Sequence, residues 1–451
     1  MRSVLEAPAP IERTPSKAPV GRPHLLAFVA DADTEKMLHD CLAQLSLPPG
    51  TITRGGVAKA VEVLGQQRSP EILIVDISGA HLPISQIHQL AEVCEPGVNV
   101  IAIGNRNDVG LYRDLVQAGV TDYVVKPLTA QLMAKALDPR AHTAHAGLIH
   151  KKLGKAVAVV GARGGVGTTT LAVNLAWYLS HRQNRRVALV DLDLQNGDCA
   201  LALNIKATSG LREALVNPHR VDTTLLERVM SPVGERLFVL SSEEPLDDDL
   251  RFTVDAVDTL VSALRDQFHY VILDVPRVPS AAYRRALEMA DLRIIVADQT
   301  LRSVRDTVRL RSALRDGDGK HRNLIVVNRH GEGGRHAVTL HEMQHVLEAR
   351  PKVVLPFQPN LFTAIAGEMR VAAARRGKYT DAVAALAVEL SGQEQGRRRW
   401  WRSDKCCRPR SGGGSSSRAG ASSSSFQAAR ARTPSPIWRS EASSRSGSAP
   451  R

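Results

Sequence analysis

Glycines, threonines and aspartates at strand ends are the residues of this sequence best placed to do chemistry. The glycines and threonines fall in "VAVVGARGGVGTTTLAVNLA", residues 157–176. Gly164, Gly165 and Gly167 let the backbone turn tightly and aim N–H groups at phosphate oxygens. A helix starting near Thr169 adds the positive end of its dipole, and Thr169 stands where a hydroxyl can hold Mg²⁺. The strict motif G-x-x-x-x-G-K-[ST] is broken at Ala162 and at Thr168, so the usual lysine is missing. Taken alone, such a loop also fits a strand-to-helix turn that binds nothing. The acids follow in order: "RVALVD" runs into "DLDLQNGD", carrying Asp191 and Asp193, and "YVILDVP" carries Asp274. Open α/β sheets bind ligands at the carboxyl edge of their strands, where a carboxylate holds Mg²⁺ directly or through water. One aspartate after a strand is commonly a helix cap. Two such elements after a phosphate-loop-like turn argue for a nucleotide site.

The elements that must position these residues are short apolar runs alternating with helical patterns. From Lys155 onward the strand candidates are "AVAVVG", "RVALVD", "RLFVLS", "YVILDV", "LRIIVA", "NLIVVN" and "KVVLPF". Helical periodicity separates them around 169–181, 252–267, 280–290 and 301–314, and a last helix is expected at 378–391. An earlier, smaller set comprises "HLLAFVA", "EILIVDI", "VNVIAIG" and "DYVVK", with helices near 34–46, 56–66, 84–93, 109–118 and 129–137. Such βα alternation predicts parallel sheets covered on both faces. The expected organisation is a loose Pro-rich 1–22, a domain over 23–138, a linker over 139–154, a larger domain over 155–392 and a disordered tail over 393–451.

Composition bounds the class. The 451 residues suffice for two or three domains, and 43% apolar content fits a globular chain. No apolar run reaches membrane-span length, and the N-terminus has no signal-peptide core. The cysteines, Cys41, Cys94, Cys199, Cys406 and Cys407, form no C-x-x-C pair, which suggests neither a disulfide framework nor a zinc site and fits a reducing cytoplasm. The net charge is +13, but residues 396–451 hold twelve arginines and one lysine against Asp404 and Glu441, a net of +11, leaving +2 for the rest. The basic character therefore belongs to the tail, and nucleic-acid binding by the body is not expected.

"ARGGVGTTTLAVNLA", "VALVDLDLQNGD", "YVILDVP" and "LIVVNR", in this order, resemble the MinD/ParA-like ATPases with a deviant Walker A loop, over about residues 155–392. The resemblance implies a P-loop NTPase fold, a homodimer, and ATP with Mg²⁺ as cofactors. It puts Gly164, Gly165, Val166, Gly167, Thr168, Thr169 and Thr170 on the phosphates, and Asn328 with Arg329 at the adenine. It assigns Thr169, Asp191 and Asp274 to Mg²⁺ and Asp193 to the attacking water. In that family a signature lysine ahead of the glycines reaches the partner subunit's nucleotide. Arg163 occupies its place and joins Asp193 as a catalytic candidate. "DLDLQNGDCALAL", "ADQTLRSVRDTVRL" and "LPFQPNLFTAIAGEM" look like the CpaE/TadZ branch, which serves assembly of Flp (Tad) pili. That branch implies a pilus or secretion motor ATPase and inner-membrane assembly components as partners, a polar landmark as a further one, and a cytoplasmic location peripheral to the inner membrane or pole. The missing lysine removes one charge-assisted bond, about 1.5–3 kcal/mol, or roughly ten- to a hundred-fold in affinity. Weak binding and slow or absent hydrolysis are expected, because phosphoryl transfer depends on charge stabilisation.

The first domain resembles a response-regulator receiver of flavodoxin-like fold. Asp76 ends "ILIVD" where a phosphoacceptor stands, Asp31 is one of the paired metal acids, and Lys126 in "VVKPL" matches the receiver lysine. Ala30 replaces the other acid and Gly104 the phosphate-sensing hydroxyl, so a pseudo-receiver for docking or dimerisation is expected. Other signals are weaker. "HEMQHVLEA" carries His341, Glu342 and His345 in zincin spacing but without a zincin context, and reads as an amphipathic surface helix. His142, His145 and His150 lie in the linker and read as solvated. Trp400 and Trp401 among arginines suit either an anionic membrane surface or single-stranded nucleic acid, and the tail beyond them also resembles an out-of-frame reading of a GC-rich gene. A ParA-like partition ATPase that binds DNA is the alternative function. A phosphorelay regulator is disfavoured by the degraded receiver, and a nitrogenase-type iron protein by the absence of paired cluster cysteines.

Overall fold

The computed structural model describes residues 22–45, 50–138, 153–248, 252–314, 322–368 and 371–391. The expected loose N-terminus, the linker with its three histidines and the basic tail with Trp400 and Trp401 lie outside them, apart from Arg22, Leu153 and Gly154. Both sheets lie within one compact unit, Met1–Gln395.

The first sheet has five parallel strands: β1 (Leu25–Val29), β2 (Thr51–Arg54), β3 (Ile72–Asp76), β4 (Asn99–Gly104) and β5 (Asp122–Val125), in the order β2-β1-β3-β4-β5. Alternation along β1 sends Leu26 and Phe28 into one apolar cluster and Leu25, Ala27 and Val29 into another. Helices therefore cover both faces, as the runs of buried apolar residues require. The reading from sequence missed β2. Its residues, Thr-Ile-Thr-Arg, are half exposed at the sheet edge and show no apolar run.

The second sheet has eight strands: β6 (Lys155–Gly161), β7 (Val187–Asp191), β8 (Ser231–Val233), β9 (Leu237–Leu240), β10 (Tyr270–Val275), β11 (Leu292–Ala297), β12 (Arg322–His330) and β13 (Val353–Pro356). Their order is β13-β12-β11-β6-β10-β7-β9-β8, parallel except for the β8/β9 hairpin. β6 lies centrally, with Val157 and Val159 facing one core and Ala156, Ala158 and Val160 the other. From β6 the chain runs to β7 on one side and later crosses to β11 on the other. This reversal opens a crevice at the carboxyl edge, the usual ligand site of such sheets. All seven expected strands of this half are present. The hairpin strand β8 and the short helices between Cys199 and Val229 were not anticipated, being too short to show a period.

The two sheets meet away from that crevice. Arg186, just ahead of β7, lies between the rings of Phe238 and Phe268, 4.6 and 4.8 Å from their centroids. Its guanidinium reaches Glu95, from the first sheet's half, at 3.8 Å, and both side chains are buried.

Candidate functional site

The glycine loop leaves β6 at the sheet centre and enters the helix Thr168–His181. Gly165 and Gly167 have φ of +72° and +91°, a region that glycine enters without strain. A Cβ on Gly167 would overlap the Asn328 amide nitrogen, so this position requires glycine on two grounds. Asn328, at the end of β12, donates from Nδ2 to the Val166 carbonyl at 2.9 Å. In this arrangement it braces the loop, and its side chain is buried. The Val166 side chain is fully buried, so Val166 offers a ligand only its backbone. Asn174 ties the helix down, donating to the Thr170 carbonyl at 2.8 Å and accepting from the Ala373 N–H at 2.7 Å. Arg329 turns to Glu332, 3.7 Å away.

The acids converge below the loop. Asp274 and Asp191 are register partners in β10 and β7, so their side chains share one end of the sheet. Both are buried. Asp191 accepts from the N–H groups of Asp193 at 3.2 Å and Cys199 at 3.0 Å. Burial raises its pKa despite those bonds. Burial and the neighbouring Asp191 charge push Asp274 up to about 7, opposed by a hydrogen bond from Thr169. That bond sets the Thr169 side chain beside Asp274. Asp193 is partly exposed and accepts from the Asn196 N–H at 3.0 Å. No lysine, arginine or histidine pairs with Asp191 or Asp274 among the described residues. A divalent cation fits this donor set: two buried carboxylates, a hydroxyl and no internal counter-charge.

Two functional neighbours were not read from the sequence. Asp298, one residue past β11, forms an ion pair with Arg163, whose other nitrogen donates to the Gly164 carbonyl at 2.9 Å. Burial raises the Asp298 pKa, but hydrogen bonds from Arg163, Thr300 and Ser303 outweigh it and hold it below the usual value. Arg163 is thus folded back within its own chain, and any reach to a partner's nucleotide must break this pair. The signal was available, since Asp298 is another acid at a strand end. The second neighbour is Cys199, whose sulfur lies 3.8 Å from Asp274 Oδ2. A scan for paired cysteines could not find it.

In the first sheet, Asp76 accepts from Lys126 Nζ at 2.7 Å, Ala30 N at 3.1 Å and Ser78 N at 2.9 Å. Lys126 also reaches Asp31 at 3.2 Å, and the Lys126–Pro127 peptide is cis. A Cβ on Gly104 would overlap the Tyr123 hydroxyl, which donates to the Arg106 carbonyl at 2.8 Å. The space a side chain at position 104 would need is therefore filled by a tyrosine. At the zincin-like stretch, Glu342 caps the helix Leu340–Leu347, accepting from Thr339 N and Oγ1 at 2.8 and 2.9 Å. His341 and His345 are exposed there, on the amphipathic surface helix expected.

The second sheet is thus an open, mostly parallel α/β sheet with a glycine loop at its centre and carboxylates at its strand ends. Residues 154–316 match the family model described as an AAA domain. Over 176 residues the chain is 30% identical to the septum site-determining protein MinD of Synechocystis, covering 39% of this chain and 64% of that protein. The chain thus spans just under two thirds of that relative's length. Among solved structures, a ParA family ATPase from Chlorobium tepidum is 20% identical, covering 53% of this chain and 99% of that one, with a TM-score of 0.49. A pilus assembly protein CpaE from Caulobacter crescentus is 30% identical, covering 26% of this chain and 97% of that one, with a TM-score of 0.24. Among the described residues no helix is long and apolar enough to cross a membrane.

Proposed function

We propose that this chain is an ATP-binding localisation and assembly factor for a Flp (Tad) type pilus or a related secretion machine, working as a nucleotide-stabilised homodimer with weak or absent hydrolysis. The observation that carries the reading is the glycine loop above the Thr169–Asp274–Asp191 cluster, a phosphate cradle beside a cation-demanding acid pair. The same edge supports a dimer. Leu201, Leu246, Val278, Leu301 and Phe357 each follow the carboxyl end of a strand and are exposed, Leu246 and Leu301 to 77% and 80%. Exposed apolar residues along the carboxyl edge of the sheet suit a second copy that packs on that edge. The pilus assignment rests on the CpaE/TadZ-like motifs. Its partners would be a motor ATPase and inner-membrane components, with the chain cytoplasmic and peripheral to the membrane or pole.

The first domain, in this reading, is a pseudo-receiver over 23–138 that docks to a landmark or to its own copy. Its Asp76 is saturated by Lys126 and two backbone donors. Incubation with acetyl phosphate should leave Asp76 unmodified by mass spectrometry, and stoichiometric phosphorylation would restore the receiver reading. The nucleotide reading is tested by titrating Mg-ATP while following mass by light scattering: saturable binding with dimerisation supports it, and monomer throughout at millimolar ATP overturns it. The partition alternative predicts DNA binding that survives deletion of 396–451 with a steep salt dependence.

A further inference from the structure

The acid pair at the edge of the second sheet includes a donor that magnesium does not favour. One ligand atom each from Asp191, Cys199 and Asp274 lie within 4.8 Å of one another, and all three residues are buried, Cys199 completely. A buried cysteine is ordinarily a small apolar filler. Here one side of Cys199 does pack in the core with residues such as Leu189 and Leu237, but its sulfur faces carboxylates. With no internal cation beside them, the two acids call for a bound one, and the sulfur biases which. Mg²⁺ takes oxygen ligands in octahedral geometry, whereas Zn²⁺ accepts thiolate and carboxylate together in tetrahedral geometry. Bond lengths of about 2.3 Å for Zn–S and about 2.0 Å for Zn–O give a tetrahedral S···O edge of roughly 3.5 Å. The observed separation of 3.8 Å needs little adjustment.

We infer that Asp191, Cys199 and Asp274 form a site for a thiophilic divalent cation of the zinc class, which competes with Mg²⁺ for the same carboxylates. This rests on the reading of Asp191 and Asp274 as the cation-holding acids of the nucleotide site, but it needs no nucleotide. Loading is an acid–base step. The S–H bond breaks, the sulfur keeps its electron pair as the metal–sulfur bond forms, and the proton passes to solvent with no change of oxidation state. Thr169, hydrogen-bonded to Asp274, offers a fourth ligand and third oxygen. Zinc held there replaces Mg²⁺ beneath the phosphate loop, so the balance of the two ions sets which form of the nucleotide site exists.

The test uses the full chain carrying Cys406→Ser and Cys407→Ser, which removes the adjacent tail thiols and leaves Cys41 and Cys94 as internal controls. It is titrated with Co²⁺ in the absence of nucleotide and Mg²⁺. The expected result is one equivalent of cobalt with a thiolate-to-cobalt charge-transfer band, displaced by stoichiometric Zn²⁺ but by Mg²⁺ only in roughly hundred-fold excess or more. Cys199→Val should abolish the band and weaken Zn²⁺ binding at least about ten-fold. Cys199→Ser, which keeps an oxygen donor, should lose the band while retaining the fold if the valine variant does not. No band, a band that survives Cys199→Ser, or displacement by equimolar Mg²⁺ overturns the inference. Because ATP is absent, a loop that fails to bind nucleotide leaves the titration unchanged, so the two readings fail separately.

Discussion

Each sheet ends in a buried aspartate at its carboxyl edge, and the two are kept in opposite ways. Asp76 has its own cation, with Lys126 Nζ at 2.7 Å, and two backbone donors complete its shell. Asp274 has another acid, Asp191, as its neighbour and no cationic partner among the described residues, and burial pushes its pKa up to about 7. The first edge is electrostatically closed, and Tyr123 fills the space that a side chain at Gly104 would need. The second sets two acids together with no lysine, arginine or histidine paired to them among the described residues. The two edges thus differ in whether a lysine stands beside the strand-end acid.

The comparison breaks most sharply at Lys126. Lys126→Met leaves Asp76 buried and unpaired, and should cost about 3–5 kcal/mol, read as a lower midpoint in denaturant; an unchanged midpoint would mean that the pair is not the cation for that edge. The reciprocal change gives the second edge a fixed cation. Thr168→Lys should tighten ATP binding roughly ten- to a hundred-fold, equivalent to about 1.5–3 kcal/mol, measured by calorimetry. Gly104→Ser forces a side chain against Tyr123 and should cost about 1–3 kcal/mol; adding Tyr123→Ala should return part of the loss to that overlap, and no return would assign the cost elsewhere.

The smallest effect is on pH dependence. Asp274 binds its proton more tightly folded than unfolded, with a pKa raised from 3.8 to about 7. The stability this group contributes is therefore present below about pH 4 and is lost as pH rises through about 7. Asp191, Asp193, Thr169 and Cys199 are the groups that act on it. In cation-free buffer the melting temperature should fall from pH 5 to pH 8 more steeply than in Asp274→Asn, and Mg²⁺ should narrow the gap. Parallel slopes without cation would mean that Asp274 is ionised throughout.

Much of this contrast was legible in the sequence. Buried parallel strands read as continuous apolar runs, so their ends fixed Asp76, Asp191 and Asp274, and the glycines marked the loop between strand and helix. What stayed hidden depended on packing. β2 is a half-exposed edge strand without a pattern. Tyr123 occupies the space above Gly104 only because β4 and β5 are paired. Cys199 follows Asp191 by eight residues and is far from Asp274 in sequence, and a chain turn over Gly197 folds it back onto the acids; a Cβ on Gly197 would overlap Asp191 Oδ2. From sequence Arg163 reads only as standing in the signature lysine's place, because its partner, Asp298, lies just past another strand.

The central claim is that the loop over 163–169 holds a triphosphate without the usual lysine because a cation beneath it supplies charge. Calorimetric titration of the full chain with ATP, with and without Mg²⁺, tests it most directly. The account predicts saturable binding, roughly ten- to a hundred-fold weaker than an intact loop gives, that depends on the cation and is lost in Asp191→Asn/Asp274→Asn. No heat at millimolar ATP, or binding indifferent to both the cation and the two acids, would contradict it.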